Sequence, residues 1–161
     1  MIKAKFCIQC GRGLVTRPAG DRAYPACPDE TCGFVFWDNP LPVVAALIEH
    51  EGAVVLARNS AWPEKMFGLV TGFLEKGEGP EDAVVREVKE ELGLAATVGG
   101  LIGVYPFIEK NQVIVAYHLR AEGTIVLGDE IAQVRHVPAG KLRPWPFGTG
   151  HAVRDWLARR A

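Results

Sequence analysis

Glu87, Glu90 and Glu91 fall within "REVKEELGL", the stretch from Arg86 to Leu94. At helical spacing they crowd one side of a helix, and carboxylates three or four positions apart repel one another and weaken it. A divalent cation would relieve that repulsion. Hard cations such as Mg²⁺ take several oxygen ligands and keep some waters for substrate phosphates. The preceding segment carries Gly72, Glu75, Gly77, Glu78 and Gly79. Glycine lets backbone approach a ligand closely, so a carbonyl there can join the carboxylates. The competing reading is a solvated acidic helix face, balanced by Arg86 and Lys89.

The cysteines form a second set. Cys7-x2-Cys10 and Cys27-x4-Cys32 are two close pairs, each able to present two thiolates from one turn. Two such turns complete a tetrahedron around Zn²⁺, leaving no open position, so the role is structural. "CGRG" and "CGFVFW" supply glycines suited to tight turns. A segment this small and loop-rich has difficulty ordering without its metal. Four unrelated thiols are the alternative; redox chemistry lacks the strand-to-helix context it needs.

Elements must hold these groups in place. "VVAALIEHEGAVVLAR" (Val43 to Arg58) reads as two buried strands joined at His50-Glu51-Gly52, and "FGLVTGFLE" as a further strand. Gly79-Pro80 opens a helix, with Glu81 and Asp82 at its positive end, and Gly93 closes it as a left-handed cap. On a helical wheel Val84, Val85, Val88 and Leu92 make one apolar arc. The three glutamates fill the adjoining arc, with Glu91 nearest the core and Arg86 within reach of Glu90. "LIGVYPFIEK" and "NQVIVAYHLRAE" read as a strand pair around Lys110-Asn111, "AQVRHVP" as a short strand and "HAVRDWLARR" as a closing helix. A mixed sheet with helices on its faces follows, an α/β class. The chain divides near Asn39-Pro40-Leu41-Pro42, giving expected domains at residues 1–39 and 40–161.

The 161 residues suffice for a real core, and a net charge of −1 excludes a protein that coats long nucleic acid by charge alone. Lys3, Lys5, Arg12, Arg17 and Arg22 make the first stretch locally basic, which reads as solvated surface. No apolar run approaches the roughly 18 residues of a membrane helix, and "MIKAKFCIQC" lacks a signal-peptide core. The expected setting is a reducing cytoplasm, where four cysteines are ligands or thiols and not disulfides.

Read as G-x5-E-x7-R-E-U-x-E-E-x-G-U, with U aliphatic, the segment matches the Nudix box at every defined position. Gly72, Glu78, Arg86, Glu87, Val88, Glu90, Glu91, Gly93 and Leu94 fill it. From roughly Pro42 to its carboxyl end the chain resembles the Nudix hydrolases. That resemblance implies an α/β/α sandwich, here preceded by a small zinc ribbon, and hydrolysis of a nucleoside diphosphate linked to another moiety. It implies that Glu87, Glu90 and Glu91 hold Mg²⁺ or Mn²⁺ with the backbone carbonyl of Thr71, and that Glu78 and Arg86 pair to order the loop. Glu130, beside Asp129, matches the acid that many members add from a later loop. A carboxylate acts as base, Glu130 or Glu87, with Glu130 favoured.

A zinc ribbon before such a domain is similar to two groups, the NADH pyrophosphatases and the ADP-ribose/FAD pyrophosphatases. The first carries S-Q-P-W-P-F-P-x-S soon after the box. Here "GVYPFIEKNQ" keeps only a Pro-Phe echo, and "RPWPFGTG" (Arg143 to Gly150) comes much later. The ADP-ribose/FAD group is the nearer likeness. The expected activity is therefore release of AMP from ADP-ribose, FAD or NADH. Phe36, Trp37, Phe67 and Tyr105 are candidates to stack on adenine, although core or interface packing accounts for each of them more readily, and Arg58 is a candidate to bind phosphate or a surface charge. Competing readings are removal of damaged nucleoside triphosphates, and a non-catalytic sensor whose ribbon grips nucleic acid. The intact box argues against the sensor. The expected partner is thus a small nucleotide, with neither membrane nor nucleic acid, and a homodimer is the assembly that resemblance suggests.

Overall fold

The computed structural model describes residues 4–160, so Lys3 of the basic stretch lies outside the described residues. The chain forms two compact units that divide between Pro40 and Leu41.

In the first unit, β1 (Val15–Ala19) and β2 (Arg22–Ala26) form an antiparallel hairpin. Sequence reading had not anticipated these strands, because Pro18 and Pro25 lie inside them. Proline cannot donate to a ladder, and a two-stranded ribbon tolerates it because each strand has a free edge. Each cysteine pair sits in a tight turn: the Cys7 amide donates to Arg12 O at 2.7 Å and the Cys27 amide to Phe34 O at 2.8 Å. Gly11 (φ 74°) and Gly33 (φ 65°) take the left-handed conformation those turns require.

The second unit is a six-stranded mixed sheet of β3 (Leu41–His50), β4 (Ala53–Asn59), β5 (Val70–Phe73), β6 (Ala95–Phe107), β7 (Gln112–Glu122) and β8 (Ile131–Val137). The strand order is β6-β7-β3-β4-β8, with β5 also paired to β3. Only β3–β7 is parallel; every other pairing is antiparallel. Alternation along β3 serves two cores. Val44, Ala46 and Ile48 join Val84, Val88 and Leu92 of α1 (Pro80–Leu92). Val43, Ala45 and Leu47 join Ala152, Val153 and Trp156 of α2 (Gly150–Ala158). Helices on both faces make the expected α/β/α layering. Each fully buried aliphatic side chain contributes about 1.5–3 kcal/mol, so the apolar arc of α1 fixes which way its acidic arc faces.

Strand β6 starts earlier than the sequence suggests, at Ala95, and runs through Gly99, Gly100 and Gly103 with register shifts at Val98/Gly100 and Leu101/Gly103. Bulges absorb the glycines that would otherwise interrupt the strand. Among the described residues, no helix is long and apolar enough to cross a membrane.

Candidate active site

Helix α1 begins with Pro80 in its first turn and ends at Gly93 (φ 68°), whose amide donates to Lys89 O. Its acidic arc borders a cleft of about 460 Å³ lined by Thr71, Glu87, Glu90, Glu91, Asp129 and Glu130. Strand β5 supplies the opposite wall. At Gly72 a Cβ would stand 1.8 Å from the carboxyl carbon of Glu87, so any side chain there would push that carboxylate off its bond to Arg86.

One guanidinium organises the rim. Arg86 donates to both oxygens of Glu78 (3.1 and 2.8 Å), to Glu87 Oε1 (2.8 Å), to Glu90 Oε2 (3.0 Å) and to the Phe73 carbonyl (3.2 Å). The Glu75 amide donates to Glu78 at 2.7 Å. These bonds hold the Glu78 carboxyl below the usual range, Arg86 first and Glu75 second. They pin the loop between β5 and α1, the pairing expected of Glu78 and Arg86. Glu90 keeps 58% of its side chain exposed, whereas Glu87 keeps 13%.

Glu91 differs from its neighbours. Burial pushes its carboxyl up to about 7, and the charges of Glu87, Glu130 and Glu90 add to the rise. Burial also raises Glu87, against the lowering effect of Arg86. Carboxylates that raise one another's pKa across a cleft form a site complementary to a cation. Their chemistry suits the oxygen-preferring Mg²⁺ or Mn²⁺.

Two contributors were not legible in the sequence. Gly128 lies against the last turn of α1, donating its amide to Glu91 O at 2.9 Å, and a Cβ there would meet Glu90 O at 2.5 Å. That close approach carries Asp129 and Glu130 to the cleft. Asn59 donates to Glu130 Oε2 at 3.3 Å, and the Ser60 amide to Glu130 O at 2.8 Å. Only the pairing of distant segments reveals these contacts.

A second cavity of about 490 Å³ adjoins the first, sharing Val43, Thr71 and Gln112 with it. It is largely apolar, with the aromatic rings of Phe67, Phe107, Trp145 and Phe147 in its walls and Lys65 and Lys110 among its polar groups. Phe67 carries Arg135 at 3.9 Å from its ring centroid. The late "RPWPFGTG" segment thus meets the "VYPF" segment in one pocket. Arg58 and Tyr105 line neither cavity. Tyr105 is buried against α2, its hydroxyl donating to Asp155 at 2.8 Å and pushed up to about 12 by burial and that bond. The Nε of Arg58 is buried without a hydrogen-bond partner. Phe36 and Trp37 belong to the first unit, where Trp37 meets Tyr24 edge to face at 5.0 Å.

In that unit Cys7 Sγ lies 3.7 Å from Cys32 Sγ, and Cys10 Sγ 3.5 Å from Cys27 Sγ. All four sulfurs fall within 4.8 Å of one another. Thiolates around tetrahedral Zn²⁺ at about 2.3 Å stand about 3.8 Å apart, so the quartet fits that ion. The Arg12 amide, ahead of the neighbouring thiols, lowers Cys10 to about 7.

Comparison with known proteins agrees with the geometry. An NAD-capped RNA hydrolase NudC of Mycobacterium bovis is 43% identical over 79 residues, 48% of this chain and 25% of that protein. NudC of Pseudomonas putida is 28% identical over 162 residues, covering 98% of this chain and 57% of its own. The chain therefore spans about half the length, or less, of these curated relatives. A NUDIX hydrolase from Nitrosomonas europaea superposes with a TM-score of 0.80 at 25% identity, covering 98% of this chain and 92% of that one. An ADP-ribose pyrophosphatase from Streptococcus suis shares the fold, with a TM-score of 0.63 at 21% identity over 76% of this chain and 94% of its own. Residues 39–157 match the NUDIX domain, well over half of the sequence, and the chain belongs to the Nudix family.

Proposed function

We propose that the chain hydrolyses the pyrophosphate of a nucleoside diphosphate linked to another moiety, of the NAD(H), ADP-ribose or FAD type, releasing AMP. The observation that carries this reading is the junction of two cavities: a carboxylate cleft sharing Val43, Thr71 and Gln112 with an aromatic pocket large enough for a base. A dinucleotide offers both features, a charged centre and a flat apolar end. The NudC relatives are named NAD-capped RNA hydrolases, which adds NAD-capped RNA to the substrates to try.

In this reading Glu87, Glu90, Glu91, Glu130 and the Thr71 carbonyl hold Mg²⁺ or Mn²⁺, which supplies charge neutralisation at the phosphates and an acidified water. Arg86 keeps Glu87 and Glu90 facing the cleft through its bonds to both. Glu130 accepts the proton of the attacking water as that oxygen bonds to phosphorus and the bridging oxygen departs. Glu87 suits this role less, because a cationic guanidinium holds one of its oxygens, whereas Glu130 accepts a longer bond from the neutral amide of Asn59. Phe67 or its aromatic neighbours stack on the base. Zn²⁺ would be held by Cys7, Cys10, Cys27 and Cys32 and would order a ribbon in residues 1–39, with residues 40–161 as the hydrolase domain. A reducing cytoplasm fits that thiolate site.

The test is one hydrolysis panel with Mg²⁺ or Mn²⁺: NADH, ADP-ribose, FAD, NAD-capped RNA and nucleoside triphosphates, with products identified. AMP from a dinucleotide supports the reading. Cleavage confined to triphosphates replaces it with removal of damaged nucleotides, and an untouched panel returns the chain to the sensor reading.

A further inference from the structure

Among the described residues, one set of side chains besides the cysteines brings its ligand atoms within 4.8 Å of one another: His50, Glu51 and His136. We propose that these three form a site for a zinc-class divalent cation, clamping the β3–β4 hairpin to β8. Val43 lines the carboxylate cleft, and His50 lies seven residues farther along the same strand, about 23 Å at 3.3 Å per residue. The site is therefore separate from that cleft and does not rest on the function proposed for it.

The protons argue for it. His50 is the one buried polar or charged residue among those described, at 5% exposure. Its Nε2 lies 2.9 Å from the Gly123 carbonyl. A carbonyl only accepts, so Nε2 carries a hydrogen, and the uncharged form of the ring then presents its lone pair at Nδ1. That lone pair points at His136 Nε2, 2.9 Å away. A metal-binding histidine is arranged the same way, with one nitrogen donating to a backbone carbonyl and the other free for the ion. At most one proton lies between the two facing nitrogens, and a cation would take its place.

The rearrangement is small and balanced. His136 is exposed, so its proton can pass through solvent from Nε2 to Nδ1 with no net release. Two nitrogens at about 2.05 Å from a tetrahedral ion stand about 3.3 Å apart, a few tenths of an ångström beyond the observed spacing. Glu51 supplies the carboxylate from the hairpin turn, where it holds a left-handed φ of 51° beside Gly52 at 77°. Two imidazoles, one carboxylate and a solvent position suit Zn²⁺, Co²⁺ or Ni²⁺ far better than Mg²⁺.

The experiment titrates Zn²⁺ alone into the full chain, with Mg²⁺ in excess to occupy the acidic cleft, and reads metal equivalents by calorimetry and position by anomalous scattering. The native chain should bind one equivalent more than His136→Ala or His136→Gln, and Glu51→Gln should weaken that equivalent at least tenfold. The extra equivalent should raise the unfolding midpoint of the native chain only. His136 is exposed, so both of its variants should fold, and circular dichroism verifies this. Equal stoichiometry in native and His136 variants overturns the proposal, as does an anomalous peak elsewhere with none between the two rings.

Discussion

Two of the candidate metal centres, the cysteine quartet and the glutamate cleft, are built in opposite ways. The four cysteine sulfurs already stand within 4.8 Å of one another, gathered by two local turns. The glutamates ring a cleft instead, and Arg86 is bonded to Glu78, Glu87 and Glu90 together. A closed thiolate tetrahedron needs no approach path and admits no substrate. An open rim with its charges tied to a guanidinium keeps room for phosphates and can redistribute its bonds when a cation binds. The difference is the one expected between a centre that holds shape and one that turns over.

The largest effect should come from the open centre. Replacing Glu90 and Glu91 with Gln together should lower turnover roughly a hundred- to a thousandfold, with melting behaviour retained; turnover within tenfold of native would remove the acidic cleft from the chemistry. Next is the closed centre. Cys27→Ser should release zinc and disorder the first unit, as loss of a structural ligand does, while amide spectra of residues 41–160 stay unchanged. A ribbon that remains ordered without zinc would erase the contrast.

Arg86 tests how the rim is held. Arg86→Ala should lower the melting temperature by several degrees and reduce turnover. Arg86→Lys should recover little, because an ammonium cannot reproduce the bidentate fork on Glu78. Full rescue by Lys would show that charge alone matters there.

The smallest effect is one of pH. In metal-free protein, folding raises the Glu91 carboxyl from 4.5 to about 7. Across that interval the folded chain holds a proton that the unfolded chain has released. The contribution of Glu91 to stability is therefore greatest below about 4.5 and declines as pH rises to about 7, by about 1–2 kcal/mol once screening by the solvent that still reaches it is allowed for. Glu91→Gln should flatten this slope, and added Mg²⁺ should reverse the loss above pH 7. Unfolding curves in denaturant at stepped pH measure both.

The helix and its chemistry were legible because both depend on spacing along one segment. The apolar stripe of Val84, Val88 and Leu92, the left-handed Gly93 and the Arg86 pairings all follow from positions a few residues apart. The alternation of β3 was readable for the same reason. Contacts between distant segments were not. Gly128 touching the last turn of α1, Asn59 reaching Glu130, and Trp145 facing the pocket that Phe107 lines depend on how strands pair. Similar letters misled as well: Tyr105 and Phe107 are two residues apart on β6, yet only Phe107 reaches the pocket.

The parallel pairing of β3 with β7 has a consequence for how this molecule assembles. Val43 faces Ile114 across that pairing, about seventy residues away in sequence, and Leu41 faces Gln112. Hairpins such as β3–β4 and β6–β7 close short loops and form early, whereas this seam, like the β4–β8 pairing that sets Val54 against Val137, must close a long one. Val43 and Gln112 border both cavities. The surface shared by the two cavities is thus completed by a late, non-local step of folding, and it does not exist in a chain emerging during synthesis until β7, the fifth strand of this sheet, has been made.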